Sequence, residues 1–244
     1  MRNLKLTIEY KGTNYAGFQR QPDQLTIQEV LEKTLSQILQ EEIVITGAGR
    51  TDAGVHAKGQ GVNFLSKSSM ECGRMKWSAN SLLPTDIVIR EIVEVGESFH
   101  ARHDAISREY KYIILNRDFP SPFWHDFAYY FRHPLDLNVI KEAGKTLEGK
   151  HDFSSFCVAE SKPDECMREL EKLEVTKEND LIYINIKANA FLHNMVRIII
   201  GTLLQVGIGE LKPGQMLSIL RAKDRTKAGP TAPANGLFLM KVNY

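Results

Sequence analysis

The feature that most narrows the fold is the order in which hydrophobic periods follow one another. Leu4, Leu6, Ile8 and Tyr10 alternate with Lys5, Thr7 and Glu9, the two-residue period of a half-buried strand. Strand-like stretches recur at 42–46, 59–65, 86–95, 106–115, 127–132, 170–175, 181–188 and 237–244. Helical spacing appears at 27–40, 72–83, 137–147, 191–206 and 213–222. Thr26-Ile-Gln-Glu29 opens the first of these helices as a capping box. Several strands succeed one another with no helix between them, which a doubly wound parallel sheet does not allow. The pattern predicts an α+β fold with largely antiparallel sheets.

The pattern restarts near residues 96–106. Two domains are therefore expected, 1–100 and 101–244, and with no Gly/Ser linker or low-complexity tract they are expected to form one rigid body. At 244 residues the chain is long enough to bury a core without disulfides or metal. The longest apolar run, Met195 to Gly209, is interrupted by Arg197, Gly201, Thr202 and Gln205, so no membrane span is expected. Residues 1–10 lack the core of a signal peptide. Cys72, Cys157 and Cys166 are odd in number and have no CxxC spacing, which predicts free thiols and a cytoplasmic location. His100-Ala-Arg-His103 has no second pair at ligand spacing, so no metal is expected.

Charge is unevenly spread. The formal net charge is only +1, yet residues 157–180 carry four basic and eight acidic side chains, and residues 187–244 carry eight basic and two acidic ones. The densest basic run holds Arg221, Lys223, Arg225 and Lys227. These four and Lys58 are candidate phosphate contacts on charge alone, against the plainer reading of a solvated surface.

Gly47-Ala-Gly-Arg-Thr-Asp-Ala-Gly-Val-His-Ala57 is the most unusual stretch. It has no Lys-Ser/Thr pair and so is not a P-loop, and Asp52 stands where a dinucleotide fingerprint needs glycine. It reads as a loop that presents a carboxylate, with Arg50 two residues away; taken alone, a tight turn capped by Asp52 is the commoner outcome of such a sequence.

Together with other segments, this loop resembles the active-site signature of the tRNA pseudouridine synthase A (TruA) family. The further matches are Leu6 to Arg20, Asn80 to Pro84, Phe99 to Arg102, Ser107 to Tyr112, His151 to Phe156, Phe191 to Gly201 with Met195-Val-Arg197, and Thr231 to Leu237. They lie in family order and cover nearly the whole chain. Asn235 departs from the family, whose members often carry His there. The resemblance implies two α/β domains with antiparallel sheets joined into one extended sheet, with a cleft between them. It also implies a homodimer that binds the tRNA anticodon stem-loop and isomerises uridine to pseudouridine at positions 38, 39 and 40, with no cofactor.

By the same resemblance Asp52 is the catalytic carboxylate, Arg197 its ion-pair partner, Tyr110 the ring that meets the target uracil, and Arg50 the side chain that fills the space of a flipped base. Physical chemistry favours the second role, because an arginine in an apolar helix is costly unless bonded. Tyr110 by itself reads as strand packing. Cys157 and Cys166 read as structural thiols. Competing readings are a synthase with a different RNA target, a non-catalytic RNA-binding module, and a hydrolase using Asp52 as a general base.

Overall fold

The computed structural model describes residues 1–244. In chain order the elements are β1 (Arg2–Tyr10), α1 (Ile27–Leu39), β2 (Thr46–Gly47), β3 (His56–Ser66), α2 (Cys72–Leu82), β4 (Ile87–Val95), β5 (Ser107–Leu115), β6 (Tyr129–Tyr130), α3 (Leu137–Lys145), β7 (Gly149–Asp152), β8 (Met167–Glu178), β9 (Leu181–Ala188), α4 (Met195–Gly207), α5 (Gln215–Ala222) and β10 (Leu237–Asn243). Short 3₁₀ turns lie between several of them. The fold is α+β: β1–β3, β1–β4, β2–β3, β5–β9, β7–β8 and β8–β9 pair antiparallel, and the short β3–β10 and β5–β6 contacts are parallel.

The chain forms two compact units, residues 1–106 with 238–244, and residues 107–237. The closing strand thus returns to the first unit, where Phe238 and Leu239 pair in parallel with His56 and Ala57. A linear division at residue 100 does not contain this return, because strand pairing is set by register and not by position along the chain.

In the first unit β1 lies between β3 and β4, antiparallel to both. Leu4, Leu6 and Ile8 share a face with Val62 and Phe64 of β3, and all five are buried. The buried Ile27, Leu31 and Leu35 of α1 and Met75 and Ala79 of α2 supply the apolar faces that cover that side. Thr26 caps α1 by accepting the Glu29 amide at 3.3 Å. The Asn80 amide exchanges two hydrogen bonds with the Ile89 backbone, which fastens α2 to β4. The strand expected at 42–46 shrinks to Thr46–Gly47. The Ile43 and Ile45 amides donate instead to Ser36 Oγ and Glu32 Oε1 of α1.

In the second unit the sheet order is β5-β9-β8-β7. β8 carries much of the acidic segment, with Leu170, Leu173 and Val175 buried and Glu169, Glu171 and Glu174 exposed. β7 was not expected, since Gly149-Lys-His-Asp152 has no hydrophobic alternation; its pairing with β8 makes it a strand. The strand expected at 127–132 is reduced to two residues, because the Phe127 and Ala128 amides turn back to the Trp124 carbonyl. α4 starts at Met195 and not Phe191, since Asn194 has a left-handed backbone (φ 60°).

The His151–Phe156 motif is structural. Asp152 accepts from the Ser154 amide and hydroxyl and pairs with Lys223 at 2.9 Å, while Ser155 Oγ donates to the Ile219 carbonyl of α5. Burial raises the Asp152 carboxyl, but the bonds from Ser154 and Lys223 outweigh it and hold the pKa at about 2. A depressed carboxyl stabilises the fold above its unfolded value near 3.8 and loses that contribution as pH falls toward 2. Asp152→Asn should therefore cost about 1 kcal/mol at pH 7, after screening at the exposed Lys223, and the deficit should vanish between pH 4 and 2 in urea titrations.

Gly201 gives a sharper check. A Cβ there would collide with the Pro230 carbonyl oxygen, a backbone atom. Helix propensity alone makes Gly201→Ala stabilising by about 1 kcal/mol. The packing predicts the opposite sign, a loss of about 2 kcal/mol or more in thermal denaturation.

Candidate active site

The loop that carries Asp52 runs from β2 into β3, and neighbouring backbone holds it from below. The Phe18 amide donates to the Thr51 carbonyl at 3.0 Å, and the Val55 amide closes a turn onto the Asp52 carbonyl at 3.1 Å. Gly17 has φ +99°, and a Cβ there would come within 2.7 Å of the Thr51 carbonyl oxygen, so only glycine lets segment 12–18 lie this close. Three further bonds fix the loop. Tyr10 Oη and Thr51 Oγ1 meet at 2.7 Å, with both residues buried. His56 Nδ1 accepts the Gly12 amide at 3.1 Å, and the imidazole stacks on Phe238 at 4.7 Å between centroids. Gln60 Nε2 reaches back to the Gly49 carbonyl at 2.8 Å.

These contacts determine what the loop presents. Thr51 points inward while Asp52 is half-buried and Arg50 exposed, its Nη1 within 3.4 Å of Gln19 Oε1. Lys58 is exposed on β3. Tyr10, Thr51, His56 and Gln60 were given no role in the sequence reading. All four lie in or beside motifs singled out there, but nothing in a linear pattern says that two hydroxyls 41 residues apart are partners.

In the second unit Arg197 and Tyr110 are both half-buried. Segment 225–233 lies along α4 like a strap. The Gly229 amide donates to Thr202 Oγ1, the Ala232 amide to the Arg197 carbonyl, and Arg197 Nε to the Ala232 carbonyl at 2.7 Å. Arg197 Nη1 also donates to Asn194 Oδ1 at 2.7 Å. These two bonds hold the guanidinium in a fixed plane. Tyr110, opposite Ile186 of β9, meets Phe191 edge-on at 5.0 Å and an interplanar angle of 84°. Two residues along β5, Tyr112 is fully buried and donates to the Pro233 carbonyl at 2.7 Å. Burial pushes the Tyr112 phenol far up, and Arg197 works against that shift.

The basic run does not act as one patch. Lys223 is paired with Asp152. Arg225 donates to the Ala228 and Gly229 carbonyls and to Thr231 Oγ1, holding the strap's turn. Arg221 and Lys227 are exposed. Asn235 uses its amide for two bonds, to the His125 and Ala128 carbonyls, which one imidazole nitrogen could not supply. His100 Nδ1 accepts the Arg102 and His103 amides and so caps a turn. Cys157 is buried, which pushes its thiol up and disfavours a reactive thiolate.

The sequence profile described as tRNA pseudouridine synthase matches residues 6–104 and 143–244, well over half of the chain. The chain belongs to the tRNA pseudouridine synthase family. Proteins named tRNA pseudouridine synthase A from Thermoanaerobacter sp. (strain X514), Clostridium kluyveri and Brevibacillus brevis are 45%, 44% and 43% identical, each over 100% of this chain and of its own length. A solved archaeal box H/ACA sRNP Nop10–Cbf5 complex aligns at TM-score 0.37 and 13% identity, over 92% of this chain and 59% of that one, too distant to argue from. As a pseudouridine synthase the protein is an isomerase.

The Tyr10–Thr51 pair is testable without an assay for that activity. Tyr10→Phe leaves the buried Thr51 hydroxyl without this partner and should cost about 1–2 kcal/mol in chemical denaturation, whereas Thr51→Ser, which keeps a hydroxyl, should cost less than Thr51→Val.

Proposed function

We propose that the protein converts uridine to pseudouridine at positions 38, 39 and 40 of the tRNA anticodon stem-loop, with Asp52 as the catalytic carboxylate. The observation that carries the reading is full-length identity of 41–45% to proteins named tRNA pseudouridine synthase A, in a chain whose signature loop carries Asp52 with its carbonyl bonded to the Val55 amide.

The reaction breaks the N1–C1′ bond, forms C5–C1′, removes the C5 proton and places one on N1. Atoms and electrons balance without oxidant, nucleotide or added water, so the work is to position one nucleotide and move a proton. An ionised carboxylate serves attack at C6, attack at C1′ or removal of a sugar proton alike. Arg197 is the cation assigned to Asp52, and its bonds to Ala232 and Asn194 pre-set the plane in which it offers its remaining donors. Tyr110, which meets Phe191 edge-on, is the ring assigned to the uracil, with its phenol as the proposed carrier of the C5 proton. A paired uridine must leave its stack to reach a half-buried carboxylate, and the exposed Arg50 is the side chain assigned to the vacated space.

A homodimer and a cytoplasmic location belong to the same proposal. The second is supported by the three cysteines, all of them free thiols.

The test is pseudouridine mapping on an unmodified tRNA transcript. Product at 38–40 is expected; product only elsewhere means a different RNA target, and binding with no product means a binding module. Tyr110→Phe should keep tRNA affinity and lower kcat by about 10²-fold or more, and Arg197→Lys should not restore the activity lost in Arg197→Ala.

A further inference from the structure

The first unit's sheet has a second face. Along β1, Lys5, Thr7 and Glu9 point away from the buried side formed by Leu4, Leu6 and Ile8. At one end this face is closed. Asn3 and Asn63 bond to each other and hold segment 96–101 through the Phe99 carbonyl and the Ala101 amide. Beyond that closure lies an open groove of about 570 Å³, lined by Lys5, Lys58, Arg90, Lys241, Glu91 and Tyr244 among others. Gly59 and Gly61 also line it. A Cβ at Gly61 would collide with the Tyr244 phenol, so the missing side chain lets that ring lie on β3.

The groove is cationic. Four basic side chains face one lining carboxylate, Glu91, which Thr7 Oγ1 approaches at 3.5 Å. Glu9, just outside, is 3.7 Å from Arg90, and even counting it the cations outnumber the acids four to two. Lys58 and Lys241 are exposed, and Lys5 Nζ lies 4.6 Å from the Tyr244 ring centroid and 5.8 Å from that of Phe99. Tyr244 and Phe99 are paired at 5.0 Å. Ammonium and guanidinium groups lining one groove beside an aromatic pair suit a polyanion whose charges alternate with flat bases. It does not suit a second copy of the same positive face.

Its place along the chain gives it a purpose. Lys58 is six residues beyond Asp52, at most about 20 Å of extended chain. We propose that this groove binds the sugar–phosphate backbone of the substrate RNA outside the target nucleotide, with Lys5, Arg90 and Lys241 joining Lys58 as phosphate contacts. The inference rests on the tRNA reading above and adds the surface that holds the RNA while one nucleotide is turned over.

The experiment measures binding of an unmodified tRNA transcript by the full chain at several salt concentrations. The variants are Lys5→Gln/Lys241→Gln and, as a control, Lys33→Gln on the exposed side of α1. Counterion release makes one phosphate contact worth about five- to eightfold in affinity at 0.1 M salt. The double variant should weaken binding on the order of 30-fold and flatten the slope of log K against log salt by about 1.5. Its loss should appear in KM and not in kcat, with thermal denaturation unchanged, and Lys33→Gln should bind like wild type. Unchanged affinity and slope in the double variant would overturn the groove, as would a change in oligomeric state with tRNA affinity intact. The two proposals fail separately. If wild type makes no pseudouridine but the double variant still loses tRNA affinity, the groove stands and the activity reading falls. If wild type is active and the double variant binds normally, the reverse holds.

Discussion

The hydroxyl contact between Tyr10 and Thr51, 2.7 Å long and buried, is the interaction on which the candidate site most depends. It joins the end of the first strand to the residue before Asp52. Its neighbours repeat the constraint: Phe18 to Thr51, Gly12 to His56, Gln60 to Gly49. A loop rich in glycine would otherwise be among the most mobile parts of a fold, since glycine gives up the most conformational freedom on ordering. Here the freedom is removed by bonds from β1, from segment 12–18 and from β3. The result is a loop whose backbone around Asp52 is held in place, which a reaction dependent on positioning requires.

The second unit solves a different problem by a similar device. A guanidinium on an otherwise apolar helix needs partners, and segment 225–233 brings carbonyls to it because glycines at 201 and 229 let the backbones touch. Arg225, which charge alone marks as an RNA contact, bonds three atoms of that segment. The basic C-terminal region thus mixes structural with exposed cations, and counting charges does not separate them.

This mixture shows what could be read from the sequence and what could not. The alternation at 4–10, the capping box at Thr26 and the apolar run after Met195 report local physics, and they placed β1, α1 and α4 close to where they lie. The loop carrying Asp52 stood out through its resemblance to a family signature, since glycines and an aspartate by themselves mark an ordinary turn. The return of β10 to the first unit, the strand at 149–152 and the partners of Tyr10, Arg197 and Asn235 depend on residues far apart in the chain. No local period encodes them. Likewise 42–46 looks like a strand but spends its amides on side chains of α1.

The most direct test of the account is single-turnover tritium release from tRNA carrying [5-³H]uridine, comparing wild type with Asp52→Asn. The substitution keeps size and shape and removes only the charge. The account predicts rapid release by wild type, a rate at least about 10³-fold lower for the variant, and tRNA affinity within a fewfold of wild type. Wild-type release by Asp52→Asn would contradict it and move the chemistry away from this loop.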